Sequence, residues 1–157
     1  PARRSGEHWC VVLAAGGSRR LGRPKQFVRH AGTTLVELAC RRALGTRPAG
    51  VVVVAGAHAS RVRALLASLP VAVVRHRDWR SGLAGSLRAG LARVPRYVPA
   101  VLVTTVDQWR VPTSDLRRLV AAGAPAAAAY RGTCGVPALL ARRWRARAEA
   151  ANLSIRE

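Results

Sequence analysis

Lys25 is the only lysine among the 27 basic residues of this 157-residue chain; all the others are arginine. It closes the stretch "LAAGGSRRLGRPKQ", Leu13 to Gln26. An ammonium is a compact point charge and a guanidinium a wide planar fork, so a lysine in an otherwise arginine-only chain suits a tight site at one phosphate oxygen. Gly16, Gly17 and Ser18 can offer backbone N–H groups, and Arg20 and Lys25 supply cations, enough for a loop that wraps a triphosphate. The spacing is not the dinucleotide fingerprint, because Gly16, Gly17 and Gly22 do not fit G-x-G-x-x-G. It is not a P-loop either: Arg23 and Pro24 stand where Lys and Ser/Thr belong. The competing reading is a chance lysine in an ordinary turn. Asp107, in "VLVTTVDQW", can hold the magnesium that accompanies a nucleoside triphosphate, or else serve as a turn aspartate or an arginine's partner. In "DWRSGLAGSLRAGL", Ser81, Gly82, Gly85 and Ser86 crowd a helix start that favours an anion; an ordinary cap with close helix packing explains them equally.

These groups need a scaffold that brings them to one edge. Apolar runs of strand length occur at Trp9 to Ala14, Val51 to Ala55, Val71 to Val74, Val101 to Val106 and Ala126 to Tyr130. Unbroken runs such as "VVVV" imply burial on both faces, as in parallel strands covered by helices. Helical patterns lie between them. Thr34 and Glu37 have capping-box spacing for a helix to about Leu44, stopped by Gly45 and Pro48. Ser60 is placed to cap a second, with Val62, Leu65, Leu66 and Leu69 on one face and Pro70 at its end. Leu83, Leu87 and Leu91 form a third stripe, and Leu116, Leu119 and Val120 a fourth behind Pro112, Thr113 and Ser114. The alternation predicts one domain: a Rossmann-like three-layer α/β/α sandwich with a mostly parallel sheet. Ligands in such folds bind beyond the carboxyl ends of the strands, where the glycine loop and Asp107 both fall.

Composition bounds the partners. The formal charge of +20 predicts attraction to nucleotides, phosphorylated cofactors or nucleic acid. No aromatic-interleaved basic strip is visible along the chain, so "ARRWRARAEAA" reads as solvated surface rather than a nucleic-acid groove. Cys10, Cys40 and Cys134 have no metal-ligand spacing and read as reduced thiols of a cytoplasmic protein. The apolar runs are too short to span a bilayer, and residues 1–8 read as a loose arm. His8, His30 and His58 are isolated and read as surface or loop positions. Trp79 and Trp109 can stack on a planar ring or fill the core. "YRGTCGVP" reads as a turn, with Cys134 a soft contact or an inert thiol.

Four segments together, "LAAGGSRRLGRPKQ", "DWRSGLAGSLRAGL", "VLVTTVDQ" and "YRGTCGVPALL", resemble the MobA-like nucleotidyltransferases, particularly the molybdenum cofactor cytidylyltransferase branch, over about Trp9 to Leu140. The resemblance implies a nucleotide-diphospho-sugar-transferase-like fold. It also implies transfer of CMP or GMP from the triphosphate, CTP ahead of GTP, to the terminal phosphate of molybdopterin, releasing pyrophosphate. By position, Leu13, Ala14, Ala15, Gly16 and Gly17 would line the nucleotide pocket. Ser18, Arg20 and Lys25 would hold phosphates, Asp107 would bind Mg2+, and Gly82, Gly85 and Ser86 would lie near the base or ribose. Arg20, Lys25 and Asp107 would carry catalysis, and a molybdoenzyme of the xanthine dehydrogenase type would receive the product.

Three departures accompany the resemblance. Trp109 stands where family members place proline, and His76 near a neutral asparagine. The family also continues into a Gly-Asp segment with a second metal-binding aspartate, whereas beyond Asp115 the only side-chain carboxylates here are Glu149 and Glu157. The expectation is a domain lacking that C-terminal segment, with weak magnesium binding and slow turnover. Two other classes remain open: a non-catalytic cofactor-binding accessory protein, and a basic polyanion or nucleic-acid binder.

Overall fold

The computed structural model describes residues 7–16, 22–130 and 133–150. The strands are β1 (His8–Ala14), a two-residue pair β2 (Arg29–His30) and β3 (Thr33–Thr34), β4 (Gly50–Ala55), β5 (Ala72–Arg75), β6 (Ala100–Thr105), β7 (Ala126–Tyr130) and β8 (Thr133–Ala141). The helices are α1 (Leu35–Leu44), α2 (Ala59–Leu65), α3 (Leu83–Leu91), α4 (Thr113–Ala122) and α5 (Arg142–Ala150). Six strands form one sheet in the order β5-β4-β1-β6-β8-β7, with only β8 antiparallel to its neighbours. This is the expected mostly parallel α/β architecture.

The valine-rich strands are apolar throughout because both faces are covered. Along β1, Cys10, Val12 and Ala14 enter one core layer with Val36, Cys40, Val62 and Leu116, from α1, α2 and α4. Val11 and Leu13 enter the other, with Leu87 and Leu91 of α3. Side chains alternate across a strand, so each face needs its own apolar set. Burial raises the thiols of Cys10 and Cys40 to about 12 each, which makes them inert. Gly90 lets α3 close onto the sheet: a Cβ there would lie 2.5 Å from a methyl of Val11.

Several local expectations change. The Thr34–Glu37 capping box forms, but α2 starts at Ala59 with no side-chain cap, so Ser60 lies inside its first turn. That helix stops at Leu65, before Pro70. Pro112 is the N-cap of α4, and Thr113 and Ser114 do not cap it. His8 belongs to neither an arm nor the surface. It is 1% exposed in β1, with Nε2 2.8 Å from Thr46 Oγ1, whose hydroxyl donates to Ala43 O. His30 and His58 are exposed, as expected.

From Thr133 the segment read as a turn is strand β8. Its Gly135 and Pro137 hide the strand signal, because proline cannot donate to a ladder. The ladder tolerates Pro137 through a register shift: Ala127 pairs with Ala138 and Ala128 with Gly135, so residues 136 and 137 bulge out. Among the described residues, no helix is long and apolar enough to cross a membrane.

Candidate active site

β1 leads by crossover to β4 on one side, while β6 adds on its other side, so the chain's winding reverses between β1 and β6. Leu13 pairs with Thr105 at their carboxyl ends, and Val106 N donates to Leu13 O at 3.4 Å. Past that point the two chains part, one into the glycine loop and one into the turn carrying Asp107. A crevice at such a switch point is where doubly wound sheets take ligands.

Lys25 opens a 3-10 turn, Lys25–Phe27, set by Phe27 N donating to Pro24 O and Val28 N to Lys25 O. Gln26 is buried, Phe27 packs on the core beneath α1, and the Arg61 guanidinium lies 4.0 Å above the Phe27 ring. The turn is thus anchored on the residues that follow the lysine. Lys25 Nζ reaches Asp107 Oδ1 at 3.2 Å, with both side chains partly open to solvent at 37% and 56% exposure. The structure therefore joins these two predicted residues at the switch point.

Gln108 fixes the Asp107 turn, a role the sequence reading missed. Its Oε1 accepts from Thr104 Oγ1 at 2.9 Å and from Thr105 N at 3.2 Å, and its Nε2 donates to Val136 O. Val136 is one of the two bulged residues of β8, so this bond satisfies a carbonyl that the β7–β8 pairing leaves out. Trp109 adds a second tie: its ring centroid lies 4.7 Å from that of His30, and its carbonyl accepts from Arg42. The segments carrying Lys25 and Asp107 are so held together at both an ion pair and a ring contact.

The remaining predicted residues divide. Leu13, Ala14 and Ala15 are 4%, 1% and 5% exposed, their side chains sitting in the two core layers; only Gly16 emerges. Their side chains are thus turned into the core, and only main chain faces the crevice. Gly17, Ser18 and Arg20 lie outside the described residues. Gly82 precedes α3 with φ 96°, a conformation that favours glycine, and no side chain caps the helix. Because α3 follows β5, this helix start lies on the same edge. Gly85 and Ser86 are buried. A Cβ at Gly85 would meet Ser81 Oγ at 2.3 Å and His76 Nε2 at 3.1 Å, so this glycine permits close packing under His76. Trp79 fills core beside α3, close against Gly56. Cys134 is exposed on β8.

Among the described residues no group of three His, Cys, Asp or Glu side chains could hold a metal by itself. Asp107 alone fits a magnesium that arrives with phosphates and water, since that ion is commonly held by one or two carboxylates plus substrate oxygens. The Glu149 side chain and Glu157 lie outside the described residues.

A doubly wound sheet with a lysine and a carboxylate facing each other across its switch point places this chain among the α/β proteins that take ligands at that crevice. The chain belongs to the family of the MobA-like NTP transferase domain, whose model matches residues 10–156. Its fold is similar to that of Rv0371c from Mycobacterium tuberculosis H37Rv, at 30% identity and TM-score 0.83, over 97% of this chain and 80% of that one. A structure of Rv0371c in complex with manganese aligns at 28% identity and TM-score 0.78, over 94% and 77% of the two chains. The molybdopterin-guanine dinucleotide biosynthesis protein A of Archaeoglobus fulgidus shares the fold, at 20% identity and TM-score 0.66, over 91% and 72%. No curated protein matches the chain in sequence.

Proposed function

We propose that this nucleotidyltransferase-family chain moves CMP, or alternatively GMP, from the triphosphate to the terminal phosphate of molybdopterin and releases pyrophosphate. The observation carrying the reading is the 3.2 Å pairing of Lys25 with Asp107 at the sheet's switch point. A phosphate oxygen of the pterin attacks the α-phosphorus in line, the bond to the bridging oxygen of pyrophosphate breaks, and that oxygen keeps the electron pair. The attacking phosphate is already anionic, so the step needs no strong general base. It needs fixed positive charge where the oxygens gather negative charge. Lys25 supplies one such charge from its anchored turn, and Ser18 and Arg20 are assigned to the remaining phosphate oxygens. A magnesium ion on Asp107 would neutralise phosphate charge and orient the leaving group. Gly82 would leave room for the base or ribose at the open start of α3. The three free cysteines suit a cytoplasmic site of action, and a molybdoenzyme of the xanthine dehydrogenase type would accept the product.

The test mixes the protein with molybdopterin, Mg2+ and either CTP or GTP and measures pyrophosphate. Release that needs the pterin and is lost in Lys25→Ala and Asp107→Ala supports the reading. Pterin binding with no release from either nucleotide overturns it in favour of an accessory role.

A further inference from the structure

The opposite edge of the sheet carries the molecule's two exposed large hydrophobics among the described residues, Tyr97 at 78% and Trp144 at 41%. They are distant in sequence and are brought to one edge by the fold. Tyr97 precedes β6, whose first residue Ala100 pairs with Ala141, the last of β8; α5 starts at the next residue. Arg145 brings the two connections together. The residue is 5% exposed and its guanidinium donates to the carbonyls of Leu91, Val94 and Pro95, clamping the chain after α3 to α5.

The result is a continuous basic and aromatic surface. A cavity of about 420 Å³ is lined by Tyr97, Arg142, Arg143 and small apolar residues, and one of about 330 Å³ by Arg143, Trp144 and Arg147. Arg143 walls both, and the Arg147 guanidinium lies 5.1 Å from the Trp144 ring. Among the described residues, neither cavity is lined by an acidic side chain. Arg93 and Arg96 stand exposed on the connection that bears Tyr97. β6 separates this surface from Asp107 by roughly 20 Å at about 3.3 Å per residue, too far for one nucleoside triphosphate to touch both.

We infer that this face binds single-stranded nucleic acid without sequence preference, through stacking on Tyr97 and Trp144 and phosphate contacts from Arg142, Arg143 and Arg147. Single strands are gripped by a basic track with separated aromatic platforms, one base stacking on each. A protein partner would call for a contiguous apolar core with a polar rim, and here arginines separate the aromatics. The inference is independent of the proposed reaction.

The test is fluorescence anisotropy of a labelled oligothymidylate of about fifteen nucleotides, titrated over a range of salt, with a duplex and poly-glutamate of matched charge as comparisons. The Tyr97→Ala/Trp144→Ala protein should lose about tenfold or more in affinity for the single strand while its duplex binding holds. Arg143→Ala/Arg147→Ala should flatten the log affinity against log salt line by about 0.7 per arginine. Lys25→Ala should bind the strand as the parent does, and a loss there would place the strand in the crevice and overturn the inference. Undiminished single-strand binding by the double aromatic variant overturns it too. So does poly-glutamate binding as tightly with the same sensitivity to the substitutions, which would assign the face to an acidic polypeptide.

Discussion

The two edges of the sheet treat charge in opposite ways. At the ligand edge a lone lysine is paired with a carboxylate at 3.2 Å, so its positive charge is balanced until something displaces one partner. At the far edge, among the described residues, Arg142, Arg143 and Arg147 line cavities without a carboxylate, and the one arginine taken out of water, Arg145, donates to backbone carbonyls. The first arrangement suits exchange: in the proposed reaction metal would take Asp107 as phosphate takes Lys25. The second presents a standing field whose effect falls with salt. The difference teaches that net charge says little about a site; what matters is which cations have a partner to give up.

The sharpest break of this comparison is Asp107→Asn, which removes the carboxylate and leaves the shape. Pyrophosphate release should fall about a thousandfold, the scale of losing several kcal/mol of charge stabilisation. Lys25→Met should lower release by about a hundredfold. The same substitution should raise Mn2+ affinity measured without nucleotide, because Asp107 no longer has a competing partner. The pair is partly exposed and contributes about 1 kcal/mol or less, so the rise is limited to about fivefold, readable by electron paramagnetic resonance. Unchanged or weaker metal binding would show that the pair does not gate the carboxylate.

At the far edge, Arg145→Met removes the bonds that tie α5 to the carbonyls of Leu91, Val94 and Pro95, although Leu91 O keeps Val94 N and Pro95 O keeps Val98 N as donors, and unfolding in denaturant should show a loss of about 1–3 kcal/mol. Release per folded molecule should stay at the parent level, since α5 begins on the other side of the sheet. Thr34→Ala removes the cap of α1, the helix that follows the lysine turn, and should cost about 1 kcal/mol. The Thr34 hydroxyl and amide bonds hold the Glu37 carboxyl below its usual range. Its share of stability is therefore full above the ordinary carboxyl value and is lost as pH falls through the lowered one. Melting curves taken across the acid range should converge for parent and Thr34→Ala.

Sequence legibility follows the same division. The meeting of Lys25 and Asp107 was readable because a parallel sheet places every strand's carboxyl end on one edge, so local spacing predicts a meeting in space. The alternating burial of "CVVLA" and the Thr34–Glu37 box were equally local. Gln108 was not readable: its function depends on Val136, a bulged carbonyl in a strand that Gly135 and Pro137 disguised. His8 and Arg145 look like solvent-facing polar residues until Thr46 and the carbonyls after α3 are beside them. The aromatic and basic face has no linear signature, since Tyr97 and Trp144 come from connections joined only through β6, β8 and a clamp.

One more consequence follows from β8. α2, α3 and α4 each follow a parallel strand of the main sheet, β4, β5 and β6, so their N-terminal dipole ends face the ligand edge. By running the other way, β8 delivers the chain to the far edge and turns α5 end for end relative to them. The amino terminus of that helix thus adds its half-charge to Arg142 and Arg143, and a single reversed strand gives the molecule a second pole.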